Sequence, residues 1–101
     1  MLTKTVYEEI FRFHEFKRPD GEGWLADQET LASAGVTIIE KVAGTDRSST
    51  MIDLVSVYAP DNTAVKYKIK AGTANLVYTV SIKGVTSNGQ KFEDTYDIKV
   101  V

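Results

Sequence analysis

Twice between residues 76 and 100, apolar and polar side chains alternate, and the two runs flank Ser87, Asn88 and Gly89. In LVYTVSIK (76–83), Leu76, Tyr78, Val80 and Ile82 fall on one side, with Val77, Thr79, Ser81 and Lys83 on the other. In KFEDTYDIKV (91–100), Phe92, Tyr96, Ile98 and Val100 share a side, and Asp94 is its one polar member. A period of two marks a strand with one buried face, and two such runs about Asn-Gly make a β-hairpin. Burial then decides the register. A two-residue Asn88-Gly89 loop sets Phe92 against Val85 and Ile98 against Thr79, so the apolar face of one strand meets the polar face of the other. A three-residue loop of Ser87, Asn88 and Gly89 instead pairs Tyr96 with Val80, Ile98 with Tyr78 and Val100 with Leu76. Gly89 then takes the left-handed position of a type I turn with a G1 bulge. Gly84 falls opposite Phe92, whose ring is expected to cover the bare backbone. The three-residue loop is the expected one, and backbone geometry accounts for its residues without any functional role.

Upstream, VKYKIK (65–70) alternates strictly, with Val65, Tyr67 and Ile69 inward and Lys66, Lys68 and Lys70 outward. MIDLVSVY (51–58) is a strand with a blurred pattern, because Leu54, Val55 and Val57 put apolar groups on both sides; cover on both faces would explain it. APDNTA (59–64) is a turn marked by Pro60, Asp61 and Asn62, and KAGTAN (70–75) is the turn that feeds the hairpin. GVTIIEKV (35–42) is a further strand, ended by the polar loop AGTDRSST (43–50). EIFRFHEF (9–16) suits a strand with Phe11 and Phe13 on one face. A short helix is the alternative, since Thr5 and Glu8 have capping-box spacing and Val6 and Ile10 are four apart. KRPDGEG (17–23) is a surface loop by composition, and WLADQETLASA (24–34) leads into the following strand. Six or seven short strands at roughly 10-residue spacing predict an all-β sandwich or barrel, in one domain over residues 1–101 without repeat, linker or low-complexity tract.

Composition narrows the function classes. The 101 residues suffice for one core, and 43% apolar with 26% charged residues is ordinary for a globular chain. A net charge of −2 argues against nucleic acid as a partner and gives no reason for attraction to an anionic membrane. With no cysteine there is neither a disulfide nor a thiolate metal site. No stretch approaches the roughly 18 consecutive apolar residues of a membrane span. Glu8 and Glu9 interrupt the N-terminus where an export signal needs apolar residues, so a cytosolic start is expected.

The residues able to carry chemistry are few. His14 is the only histidine; a general base needs a nucleophile and an orienting acid, and a zinc site needs further ligands, so a strand residue is the expectation. Asp20, Glu22, Asp27 and Glu29 are close enough to hold Ca²⁺, but they lack EF-hand spacing, and a solvated loop is expected. Lys66, Lys68 and Lys70 form a basic stripe suited to an acidic partner, although such lysines more often solvate a face or protect an edge strand. Aromatics for base stacking are not expected on the same face as these lysines, which weakens a nucleic-acid reading further. Trp24, the one tryptophan, can anchor an interface or plug the end of the core beside Leu25, and the plug is preferred. KAGTAN lacks the spacing of a phosphate loop and precedes a strand, and neither G-x-S-x-G nor a carboxylate pair stands out. No catalytic, cofactor-binding or metal residue is assigned, and no cofactor is expected.

The order of motifs resembles a family of small phage and prophage proteins. The resemblance lies in WLADQETLASAGVTI (24–38) and KIKAGTANLVYTVSIKGVTSNGQKFEDTYDIKV (68–100), about half the chain. In that family a W-L-x-D-x-E-T-I-x-S-x stretch precedes a Gly-Gly-containing turn, a T-S-x-G-R turn and a closing alternating strand. Ala71-Gly72 stands where the family often has Gly-Gly, Gln90 where it often has Arg, and the KRPDGEG loop is longer than usual. The resemblance implies an Ig-like β-sandwich of about seven antiparallel strands. It further implies a non-enzymatic virion structural or accessory protein that acts by contact with other virion or assembly proteins. Its location would be the virion, or the host cytoplasm during assembly. Self-association is a further expectation, through the last strand if that strand lies at a sheet edge. A stand-alone carbohydrate- or cell-surface-binding module is the alternative. Such a module displays two or three aromatics on one face; Tyr67, Tyr78, Phe92 and Tyr96 fall on core faces, leaving Tyr7, Tyr58, Phe16 and Trp24 to supply a patch.

Overall fold

A computed structural model describes residues 2–16, 30–59 and 62–101. Asp20, Glu22, Trp24, Asp27 and Glu29, with Pro60 and Asp61 of the 59–64 turn, lie outside the described residues. Seven strands and one helical turn follow in the order β1 (Leu2–Lys4), β2 (Ile10–Glu15), β3 (Leu31–Glu40), α1 (Ser48–Met51), β4 (Ile52–Tyr58), β5 (Ala64–Ile69), β6 (Val77–Thr86) and β7 (Lys91–Val100). They form a four-stranded sheet in the order β1-β7-β6-β3 and a three-stranded sheet in the order β2-β5-β4. The fold is an all-β sandwich. All neighbouring strands are antiparallel except β1 and β7, which pair in parallel, Leu2 with Ile98 and Lys4 with Val100.

The closing hairpin has the three-residue loop. Tyr78 faces Ile98, Val80 faces Tyr96 and Gly84 faces Phe92. The Thr86 N–H donates to the Gln90 carbonyl at 2.8 Å, and Gly89 has φ +84°. The cover over Gly84 differs from expectation. A Cβ there would meet Leu31 Cδ2 at 2.8 Å and the Phe16 ring at 3.5 Å, so Leu31 and Phe16 occupy the space assigned to Phe92. Phe92 lies beside Phe16, ring centroids 6.4 Å apart.

The blur in 51–58 has a different cause from cover on two faces. The register between β4 and β5 shifts between Asp53 and Ser56, and Leu54 adopts φ +53°. This bulge re-phases the strand, so that Ile52, Val55 and Val57 all pack against the core while Leu54 stays 58% exposed. β3 begins at Leu31, before the GVTIIEKV stretch, across another irregularity between Leu31 and Ser33, and it stops at Glu40, leaving Val42 exposed. Within AGTDRSST, Ser48 opens the turn α1 and its hydroxyl accepts the Ile38 N–H at 2.9 Å.

The N-terminal segment resolves as strand β2, yet the capping-box bonds form as well. Thr5 N–H donates to Glu8 Oε1 at 2.7 Å, and Glu8 N–H reaches Thr5 Oγ1 at 3.3 Å. The motif closes a turn between β1 and β2 instead of starting a helix, because Ile10 onward is drawn into the ladder with β5. The core lies between the sheets: Ile38, Val80, Ile82 and Ile98 from one, Val65, Tyr67 and Ile69 from the other, all fully or almost fully buried.

A candidate interaction face

The outer surface of the three-stranded sheet is the most distinctive face of the described residues. β5 is the central strand of that sheet, so Lys66 and Lys68 do not protect an edge as the sequence suggested. They project between side chains of the flanking strands: Phe13 pairs with Lys66 and Lys66 with Ser56, while Phe11 pairs with Lys68 and Lys68 with Asp53. Phe11 is 47% exposed, Phe13 54% and Tyr58 45%. Tyr58 packs edge-on against Phe13, with ring centroids 4.9 Å apart at 87°. The Lys66 ammonium lies 4.7 Å from the Phe11 centroid and 5.7 Å from that of Phe13, within cation–π range. Lys68 is shared between the Phe11 ring at 5.7 Å and Glu9 Oε1 at 2.7 Å, and Lys70 reaches Asp53 at 3.4 Å. The hydrogen bond from Lys68 holds the Glu9 carboxyl below its usual range.

Contrary to the expectation from sequence, aromatics and lysines do share a face, because the rings are supplied by the neighbouring strand. Single-strand alternation places 11 and 13 on one side and 66 and 68 on one side, but it cannot say that β2 and β5 are neighbours. Of the side chains nominated for a patch, Tyr58 joins this face, Phe16 is buried in the core, and Tyr7 stands apart in the β1–β2 connection.

The opposite face of the sandwich carries an ion pair, with Ile39 exposed beside it on β3. Lys41 Nζ meets Asp97 Oδ2 at 2.6 Å, and Thr79 Oγ1 donates to Asp97 Oδ1 at 3.0 Å; these bonds, Lys41 foremost, lower the Asp97 pKa.

His14 and Asp94 meet. His14 Nε2 lies 3.1 Å from Asp94 Oδ2, joining β2 to β7 across the two sheets. Next to them the Tyr67 and Tyr96 hydroxyls share a hydrogen bond of 2.6 Å, and the Arg12 guanidinium lies 5.8 Å from the Tyr96 ring centroid. Burial raises the pKa of both tyrosines. These residues close the seam where β2 overlies β7, beside an open cleft lined by Leu2, Arg12, Thr95, Tyr96 and Asp97. Among the described residues no three His, Cys, Asp or Glu side chains cluster as metal ligands, and no helix is long and apolar enough to cross a membrane.

Lys4 is a polar group that the sequence did not single out. It is 1% exposed, and its ammonium donates to the Thr5 and Ala71 carbonyls, both at 2.6 Å. Burial lowers its pKa from 10.5. The last strand lies between β6 and β1, which removes its C-terminal end from the sheet edge where self-association was expected.

Residues 18–99 match the family model of the Podophage GP4 fiber-tail adaptor protein gp77. The chain belongs to this family. It is a small phage virion structural protein, as the order of its turn motifs indicated. No curated protein matches the chain.

Proposed function

We propose that the chain joins virion proteins where fiber meets tail, by protein–protein contact and without catalysis, and that the outer face of the β2-β5-β4 sheet is a docking surface. The observation that carries this is the cluster of Phe11, Phe13 and Tyr58, about half exposed and interleaved with Lys66 and Lys68. Exposed rings on a rigid sheet supply contact area at little cost in side-chain entropy. Lys66 can leave the rings to meet a partner's carboxylate, so the partner surface is apolar with acidic residues. Nucleic acid and membrane are not partners on this reading, given the net charge of −2 and the carboxylates beside Lys68 and Lys70. An Ig-like description of the sandwich is supported by its strand order, in which second, fifth and fourth strands form one sheet and third, sixth, seventh and first the other. A prophage origin and assembly in the host cytoplasm, followed by residence in the virion, complete the reading.

The test is mass spectrometry of purified particles with lysine-directed cross-linking. Stoichiometric presence, with Lys66 or Lys68 linked to fiber and tail proteins, is the expected result. Recovery only in the soluble cell fraction removes the reading.

A glycan-binding module is the second reading, because three exposed aromatics on one face meet its requirement. The lysines lying over Phe11 and the edge-on packing of Tyr58 weigh against a flat sugar platform. Binding on a glycan array, abolished by Phe11→Ala, would favour it.

A further inference from the structure

Most inward-facing positions along the seam between β2 and β7 are matched in kind. Phe16 lies beside Phe92, His14 meets Asp94 at 3.1 Å, and Ile10 and Ile98 both belong to the core packing. Arg12 is not matched. Its guanidinium faces an aromatic ring, 5.8 Å from the Tyr96 centroid. Among the described residues no carboxylate lies within 4.0 Å of it, whereas the other described arginine, Arg47, has Glu40 at 3.7 Å.

The carboxylates of this region are already engaged. Asp94 Oδ2 faces His14, and its Oδ1 accepts the Thr95 N–H at 2.9 Å. Asp97 Oδ2 receives Lys41 at 2.6 Å, and its Oδ1 receives Thr79 at 3.0 Å. Arg12 itself is exposed and lines the open cleft with Leu2, Thr95, Tyr96 and Asp97. A guanidinium held against a ring still has N–H groups in its plane for an acceptor. Its charge also acts on the Tyr67 and Tyr96 hydroxyls, opposing the rise that burial imposes on both.

We propose that this cleft receives the side-chain carboxylate of a glutamate or aspartate from a partner protein. Arg12 binds it through its N–H fork, the Thr95 hydroxyl offers a further donor, and Leu2 with the Tyr96 ring packs on the methylene stem. Charge decides the class of ligand. One guanidinium balances one negative charge, and Asp94 and Asp97 close by disfavour a dianion such as phosphate. Chain ends are captured in nests of backbone N–H groups, and the Thr95 N–H is already bound to Asp94; an open cleft with side-chain donors suits a side chain offered by a passing segment. Arg12 alternates with Phe11 and Phe13 along β2, so this site lies on the other side of that strand from the docking face. It is a second contact surface and stands without the first.

The test is NMR titration of the isotope-labelled chain with N-acetylglutamate α-amide, whose only charge is the side-chain carboxylate. Saturable shifts of the Arg12 Nε–H and of the Thr95 and Tyr96 amides are expected, with a Kd on the order of 10 mM, as suits one charge-assisted contact. N-acetylglutamine amide, of the same shape without the charge, should bind at least about tenfold more weakly, and so should the glutamate probe to Arg12→Gln. Arg12→Lys keeps the charge and loses the fork, and should weaken binding about threefold or more. Thr95→Val removes the hydroxyl without touching Arg12 and should weaken it about twofold or more, which keeps the test open if an arginine variant unfolds. No saturable shift at the cleft up to about 100 mM overturns the inference. So does equal binding of the glutamine amide, full binding by a folded Arg12→Gln, or tighter binding of inorganic phosphate or of N-acetylleucine, whose only carboxylate is a chain end. Shifts confined to Lys66 and Lys68 overturn it as well, while leaving the docking face standing.

Discussion

The backbone at Ala71 is held in a conformation that suits glycine. Its φ is +56° and that of Gly72 is +99°, so the turn feeding β6 carries two adjacent left-handed residues. This explains why the resembling family often has Gly-Gly there, and it makes Ala71 a strained residue in this chain. A Cβ in the left-handed region costs about 1–2 kcal/mol, partly offset because alanine restricts the unfolded chain. Ala71→Gly should therefore raise stability by about 0.5–1 kcal/mol, seen as an increase of roughly 2–8 °C in Tm by calorimetry. An unchanged or lower Tm would contradict the strain. Gly72 gives the converse: a Cβ would lie 2.8 Å from Val100 Cγ2 and 2.9 Å from Met51 Cε, so Gly72→Ala meets both a forbidden φ and a full core. A loss of at least ~2 kcal/mol is expected from urea titration. The turn itself was legible from KAGTAN, but which of its residues turn left-handed was not, because alanine conceals the requirement that glycine would display.

At the scale of the element, period-two alternation revealed most where one strand has one buried face. The β6–β7 hairpin was legible down to its register, because any other pairing turns a whole apolar face to water. The sequence marked Asp94 as an exception and His14 as isolated, and the structure pairs the two exceptions; no rule within one strand can see a contact between sheets. β4 was misread because a bulge and cover on two faces leave the same blurred trace. Leu54 distinguishes them, since at φ +53° its side chain is turned out to solvent. Replacing Leu54 by Gly should relieve the left-handed position and remove an exposed apolar group, leaving stability unchanged or raised by up to about 1 kcal/mol. If both faces of β4 were covered, the same change would cost roughly 2–5 kcal/mol, so one thermal melt decides the matter. The candidate face was only half legible. Each strand showed its own outward residues, but placing Phe11 and Phe13 beside Lys66 and Lys68 requires the order β2-β5-β4, which depends on long-range pairing.

For the whole molecule, the seam between β2 and β7 decides how the two sheets hold together away from neutral pH. Tyr67 belongs to the three-stranded sheet and Tyr96 to the four-stranded one, and their shared hydrogen bond of 2.6 Å spans the core. Burial raises both pKa values above the ordinary 10.0. Above pH 10 the unfolded chain releases these two protons while the folded chain keeps them, so the folded state binds more protons and stability falls as pH rises. Lys4 acts with the opposite sign: its lowered pKa makes the unfolded state bind more protons just below 10.5, so its contribution rises with pH in that window. Comparing variants at matched pH removes this shared background. Tyr67→Phe should cost about 1 kcal/mol at pH 7 through the lost hydrogen bond, and it should make the decline between pH 9.5 and 11 shallower than in the wild type. Urea midpoints for both proteins across that range supply the check. Parallel declines would mean that the tyrosine pair does not couple the sheets to pH and that the alkaline limit of the fold lies elsewhere.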